Sequence, residues 1–377
     1  METDTLYRQL QQHLDRMPVP FPATESGVEI RILRQIFTPE EAALTLQASV
    51  IPEPAAAIHR RIKPAMPLAD VVSQLDQMAA KGIILRIPAP GGPLYAKMAF
   101  AVGFYERQLK RLTPELERDC REYIQGAFGQ ALHNKKTPQL RTVPVHRTIA
   151  IERNVATYDD IRSHVEAHRG PFAAMDCICR TGKEVAGGKC LQTGLKGNCL
   201  TLGAAAREMV RAGQARDITR EEMLALLDSA DKEGLVLQPE NTRNPLFVCC
   251  CCGCCCLVLT SAKLLPQPAE YFSSNFQAQV DAALCDACAV CQSRCQMDAL
   301  VNTDGDDGKM RVDRERCIGC GLCVTTCPPG ALKLVEKEQR KVPPDDTKAL
   351  YMRLLQERYG PWGMANLAGR KLLGMKF

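Results

Sequence analysis

Eight cysteines near the C-terminal end carry the most specific chemistry in the chain. Cys285, Cys288, Cys291 and Cys295 are spaced C-x2-C-x2-C-x3-C. Cys317, Cys320, Cys323 and Cys327 repeat that spacing, and Pro328 follows the second run. A tight loop of this kind aims three thiolates at one cluster face. The chain then turns into a helix and carries the fourth sulfur to a neighbouring cluster. Structural zinc uses C-x2-C pairs separated by a spacer, whereas a triplet with a fourth cysteine three residues on suits an iron–sulfur cubane. A disulfide framework fits poorly. Met1 to Met17, METDTLYRQLQQHLDRM, is polar and lacks the apolar core of a secretory leader, so a reducing, cytoplasmic setting is expected.

The two runs resemble the ligand pattern of bacterial two-cluster ferredoxins. That resemblance implies one [4Fe–4S] cluster on Cys285, Cys288, Cys291 and Cys327, and a second on Cys317, Cys320, Cys323 and Cys295. Clusters whose irons are all held by cysteine are implied to be electron carriers rather than open catalytic sites. Gln296 departs from the pattern, because it stands where the first run would carry a proline.

The chain has 20 cysteines in 377 residues, and all but Cys120 lie between positions 177 and 327. The second set begins with Cys177, Cys179, Cys190 and Cys199, in a stretch that also holds Gly182, Gly187, Gly188, Gly194 and Gly197. Such a loop lets backbone N–H groups approach cluster sulfurs. The set ends with Cys249, Cys250, Cys251, Cys252, Cys254, Cys255 and Cys256, interrupted by Gly253. In a strand, alternate sulfurs would point to opposite faces, and Gly253 permits a turn that gathers both halves. Cysteine packs as a small hydrophobe, but choosing it repeatedly for packing alone conflicts with its oxidation hazard. These cysteines therefore predict an additional metal centre, a further Fe–S cluster, with reversible thiol–disulfide chemistry as the alternative.

The elements that would position these thiols are legible in part. Thr38-Pro-Glu-Glu41 is a helix start with a capping box. A short helix is expected over Glu53 to Ile62 and a third from Leu68 to Ala80, with Val71, Val72, Leu75, Met78 and Ala79 on one face. Ile83 to Ile87 and Leu94 to Met98 read as a hairpin. Three helices and a hairpin form the winged-helix plan. Its third helix offers Asp70, Ser73, Gln74, Asp76 and Gln77 but no basic residue before Lys81, which argues against DNA as a partner. Phe100 to Leu112 and Pro114 to Phe128 read as helices, Leu140 to His146 and Thr148 to Glu152 as short strands, and Thr157 as the opening of a helix through Ala167. Leu200 to Ala212 and Thr219 to Glu233 read as a helical pair, the second with a Thr219/Glu222 capping box. Asp304 to Asp307 reads as an acidic turn. The tail from Thr347 should be helical through Arg358 and break at Gly360-Pro361. Its basic amphipathic end packs back onto the protein or docks on a partner or membrane surface. A net charge of +5 gives no global signal for nucleic acid or membrane, and the stretch from Leu246 to Leu265 is interrupted by cysteines and closed by Lys263 and Pro266.

The whole chain also resembles a broad group of anaerobic bacterial and archaeal 4Fe–4S proteins. The matching pieces are Pro52-Glu-Pro54, Met78-Ala-Ala-Lys-Gly-Ile83, Val102-Gly-Phe-Tyr-Glu106, Val143-Pro-Val145, Cys177-Ile-Cys-Arg180, Gly234-Leu-Val236 and Cys249 to Cys256. The Cys-Cys-Gly element is further similar to the cysteine-rich domain of heterodisulfide reductase catalytic subunits. Here, however, the C-x2-C that should follow is Cys285/Cys288, already part of a ferredoxin-type run. The expected architecture is α+β. It comprises a winged-helix-like and helical region (1–135), a helical Cys-rich middle domain (136–270), a two-[4Fe–4S] ferredoxin-like domain (271–340) and a helical tail (341–377). The expected role is low-potential, single-electron transfer to or from a redox protein partner, as a carrier or as an oxidoreductase subunit. A redox-sensing winged-helix regulator and a thiol/disulfide reductase centred on Cys249–Cys256 are the alternatives.

Overall fold

The computed structural model describes residues 2–62, 65–145, 148, 157–303 and 308–372. His146, most of the strand expected at 148–152, the acidic turn at 304–307 and the last residues of the tail lie outside them. The chain mixes helices with several small sheets, as an α+β reading requires.

The first third is helical around an aromatic core. Thr38 caps Pro39–Thr45: its hydroxyl accepts the Glu41 N–H at 3.3 Å, while the Glu41 carboxylate accepts the Thr38 N–H at 2.8 Å. The helices Ala55–Ile62 and Leu68–Lys81 follow, then the hairpin Ile84–Ile87/Leu94–Lys97. Glu53–Pro54, expected to be helical, pairs with Leu94 and Tyr95 as a third strand. The two prolines flanking Glu53 favour extended backbone there. Val71, Leu75, Met78 and Ala79 are buried, on the face the periodicity assigns. Phe100 to Leu112 is not one helix. Ala101 to Gly103 leave helical geometry and a tight 3-10 segment, Glu106–Arg111, follows. The Gly103 N–H bonds the Glu106 carboxylate at 2.6 Å instead of a backbone carbonyl. Phe100 packs edge-on to Phe128 at 4.9 Å and to Phe104 at 5.4 Å, so aromatic burial outweighs helix propensity. Pro114–Gln125 is helical, breaks at Gly126 and resumes as Ala127–His133.

The expectation of a helical middle is corrected. Its centre is a five-stranded antiparallel sheet in the order Arg216–Ile218, Phe172–Met175, Cys199–Leu202, Phe247–Cys251, Val236–Pro239. Leu200 to Leu202 is therefore strand, and only Gly203–Arg211 is helix. A short apolar run cannot be told from a helix by periodicity, and here both edges of Cys199–Leu202 are taken by partner strands. Arg220–Lys232 carries its capping box as expected. Ile161–Ala167 is capped by Asp160, which accepts the Arg162 and Ser163 N–H groups at 3.0 and 3.3 Å; Thr157 opens a separate 3-10 turn.

The C-terminal cysteine runs lie between two small ribbons. Phe276–Val280 pairs with Leu332–Glu336, and Leu300–Asn302 with Met310–Val312. Each run is thus entered from one ribbon and left through the other. The tail helix Thr347–Leu372 is interrupted at Gly360 (φ 62, ψ −178), where a break is expected. Before it, the Tyr359 hydroxyl donates to the Arg16 carbonyl at 2.6 Å, tying the helix back to the N-terminal layer. Trp362 just beyond is 89% exposed. Among the described residues no helix is long and apolar enough to cross a membrane.

Candidate metal centres

Two cavities separate the eight cysteines of the C-terminal runs. Cys285, Cys288, Cys291 and Cys327 line one, together with Val280, Asp286, Ala289, Met310 and Leu332. Cys295, Cys317, Cys320 and Cys323 line the other, with Ala278, Gln296, Ala299, Leu300 and Leu322. Each therefore takes three thiols from one run and the last thiol of the other. The exchange goes with the ribbon pairing, in which each run is entered from one ribbon and left through the other. Backbone donors already point at sulfur: the Ala278 N–H lies 3.4 Å from Cys317 Sγ and the Ala299 N–H 3.2 Å from Cys295 Sγ. Burial pushes the Cys291 thiol up to about 11 and the Cys320 thiol up to about 12. A thiolate there requires a cation beside it, which cluster iron would supply. Apolar walls and four thiols in each cavity, with N–H donors to sulfur in the second, fit a [4Fe–4S] group.

The two loops reach this geometry differently. Ala287 and Ala289 flank Cys288 at φ 61 and φ 55. The corresponding positions of the second run are Gly319 and Gly321, at φ 70 and φ 76. A Cβ at 319 would come within 2.1 Å of the Phe276 carbonyl oxygen, and one at 321 within 2.8 Å of Thr148 Oγ1. The second loop is pressed against its surroundings, while the first stands at the surface, with Cys288 exposed.

The middle cysteines divide in two. Cys199 and Cys249 are register partners on adjacent strands, and Cys249 and Cys251 share a strand face. Cys199, Cys249, Cys251, Cys256, Cys179 and Cys177 form a run of neighbouring free thiols, each shifting the titration of the next. Donation from Cys179 and Cys251 draws the Cys256 thiol down to about 6. The second group is Cys190, Cys252, Cys254 and Cys255, whose sulfurs all lie within 4.8 Å of one another. Cys190 Sγ is 3.7 Å from both Cys252 and Cys254, and Cys254 is 3.6 Å from Cys255. The Cys255 thiol, and then Arg180, bring Cys252 down to about 4 against the opposing effect of burial. Burial works against the Arg180 charge, but Cys177 and Cys252 beside it hold the guanidinium protonated. Cys250 joins neither group; burial raises its thiol to about 12.

Gln296, the departure from the ferredoxin-type pattern, joins the middle thiols to the C-terminal ones. Its Oε1 accepts the Gly253 N–H at 2.6 Å, and its Nε2 donates to Gln192 Oε1 at 2.9 Å. A proline there could make neither bond. A Cβ on Gly253 would lie 2.2 Å from the Gln296 carbonyl oxygen, so only glycine allows this approach. Sequence reasoning gave Arg180 and Gln296 no such roles. The Cys-Ile-Cys-Arg grouping hinted at the first, and a break in an otherwise repeated motif hinted at the second.

Residues 310–333 match the 4Fe-4S binding domain family. The matched segment contains the second run, with its loop glycines, while the first run carries Ala287, Ala289 and Gln296 at the corresponding places. Neither a curated protein nor a solved structure matches the chain. The matched segment supports an iron–sulfur protein, and the close group of cysteines is a further potential metal site.

Proposed function

We propose that the chain is an electron-transfer protein that passes single low-potential electrons through two [4Fe–4S] clusters to or from a redox protein. Cys285, Cys288, Cys291 and Cys327 would hold the first and Cys295, Cys317, Cys320 and Cys323 the second. The observation that carries this reading is the partition of the eight thiols between two apolar cavities, three from one run and one from the other. The clusters supply one-electron chemistry. The protein's own part is to exclude water with Leu300, Met310 and Leu332, to donate N–H groups to sulfur, and to leave an opening at Cys288. The middle thiols extend this arrangement. Cys250, Cys252 and Cys255 share an apolar core with Met297, Ile318 and Leu322, against which Cys295 and Cys320 pack.

The layout of residues 39–97 supports the winged-helix reading, in a structural role. Arg86, on the first strand of the hairpin, donates to Asp76 at 2.9 Å and to both Glu208 oxygens at 3.0 and 3.1 Å, and so is spent on docking the hairpin against the helix Gly203–Arg211. The division into 1–135, 136–270, 271–340 and 341–377 stands as part of the proposal. Iron and acid-labile sulfide per chain, measured on protein prepared without oxygen, test the reading. Two cubanes require at least about eight irons. A Cys317→Ser/Cys320→Ser variant should lose about four of them. About four or fewer in the unaltered protein would sink the two-cluster claim.

A further inference from the structure

We infer that Cys190, Cys252, Cys254 and Cys255 form a closed tetrahedral site for a single zinc-class divalent ion, distinct from every cluster site in the chain. The inference rests on reading the middle cysteines as metal ligands, but not on the two-cubane reading. Its first support is size. A tetrahedron of four sulfurs around one ion, with metal–sulfur bonds of about 2.3 Å, has edges of about 3.8 Å. The separations here are 3.7, 3.7 and 3.6 Å, and all four sulfurs lie within 4.8 Å of one another. A cubane holds its ligand sulfurs at the corners of a four-iron core, much farther apart. The chain contains its own control for this. None of the eight cysteines lining the two C-terminal cavities belongs to such a close group among the described residues. A disulfide would draw two sulfurs to about 2.05 Å, with no reason to gather four.

The surroundings suit the charge of such a centre. Four thiolates on one divalent ion leave net negative charge, and the Arg180 guanidinium, which donates to the Leu195 and Cys250 carbonyls, places a positive charge beside Cys252. Cys252 and Cys255 are buried, and the four donors complete a tetrahedron with no position left for a substrate, as in structural rather than catalytic zinc sites. The location explains what the ion does. Residues 187–198 form no regular helix or strand and include Gly187, Gly188, Gly194 and Gly197. An ion on Cys190 staples this loop to the end of the strand Phe247–Cys251. Gln192 and Gln296 extend the staple to the residue after Cys295. Binding energy of the ion then offsets the entropy of ordering a glycine-rich loop.

The test uses full-length protein prepared without oxygen, with zinc and iron measured per chain and X-ray absorption recorded at the zinc edge. The expected result is one zinc per chain with four sulfur neighbours at about 2.3 Å and no iron shell. A Cys190→Ser variant, which alters the loop rather than the buried strand end, should lose most of the zinc and keep its iron. Zinc absent, with iron falling in Cys190→Ser, would make these thiols cluster ligands and overturn the inference while leaving the two-cubane reading intact. Zinc absent with a ninth, isolated iron in Mössbauer spectra would overturn the choice of ion. A Cys190 disulfide in the unaltered protein would overturn the metal reading of the middle cysteines. About four or fewer irons alongside intact zinc would instead sink the two-cluster claim alone.

Discussion

At the residue scale, the two cysteine loops are an internal comparison of what one spacing demands in two settings. A non-glycine residue in the left-handed region costs roughly 1–2 kcal/mol. The first loop bears that cost twice, at Ala287 and Ala289, and the second avoids it with Gly319 and Gly321. The difference is in surroundings: a methyl group at 319 would strike the Phe276 carbonyl, whereas Ala287 and Ala289 stand in a loop open to solvent at Cys288. Gly319→Ala should therefore destabilise the anaerobic holo-protein by about 2 kcal/mol or more, since overpacking adds to backbone strain. It should also lower iron retention. Ala289→Gly should range from neutral to about 1 kcal/mol more stable, because relieved strain exceeds the added chain entropy. Denaturant unfolding followed by visible absorption measures both. Equal losses in the two variants would contradict the asymmetry. The same logic gives Gln296→Ala a cost of about 1 kcal/mol, since the half-buried Gly253 N–H would lose its acceptor.

At the element scale, the helix Leu257–Lys263 begins immediately after the middle cysteines, with Cys256 as its cap. It packs on Ala127–His133, and His133 Nε2 meets Ser261 Oγ at 3.0 Å. Burial draws the His133 imidazole down from 6.5 to about 4. The folded state thus resists a proton that the unfolded chain accepts. Stability is complete above about pH 6.5 and declines as pH falls toward 4, by roughly 1 kcal/mol at about pH 5.5. His133→Gln, which can still bond Ser261, should remove that share of the pH dependence and leave stability at about pH 7.5 little changed. Guanidinium midpoints at the two pH values decide it, and an unaltered pH dependence in the variant would refute the assignment. The helices on either side of this contact were legible only in part, and the reason is physical. Thr38/Glu41 and Thr219/Glu222 announce their helices because a cap is a local event between residues three apart. Cys199–Leu202 becomes a strand through partners nearly fifty residues away, which no local pattern encodes. Alternation along Cys249 to Cys251 correctly separates strand faces. The join of Cys190 to Cys252 and Cys254 depends on a loop that spacing alone does not place.

At the scale of the whole molecule, the proposed electron route has a direction built into its exposure. Cys288 is the exposed member of the first thiol set, with Leu284 and Val290 beside it at 52% and 41% exposure. The second set is enclosed by Thr148, whose hydroxyl bonds the Gly321 carbonyl at 2.9 Å, and by the Gln296 contact to Gly253. Electrons exchanged with an outside donor or acceptor should therefore cross the rim at Cys288, and the second set should communicate with solvent through the first. Charge placed at that rim acts on encounter with a charged reagent, over a range set by the Debye length of about 10 Å at 0.1 M salt. Val290→Glu should slow cluster bleaching by an anionic reductant severalfold at low ionic strength, and the effect should fade as salt is raised. Val290→Lys should accelerate it under the same conditions. Iron content and visible spectra should match the unaltered protein, because Val290 faces solvent and ligates nothing. Stopped-flow absorbance at two or three salt concentrations separates this electrostatic effect from damage to the cluster, which would not respond to screening. If both variants leave the rate unchanged while charge near Cys320 alters it, electrons enter at the second set, and the order of the relay is reversed.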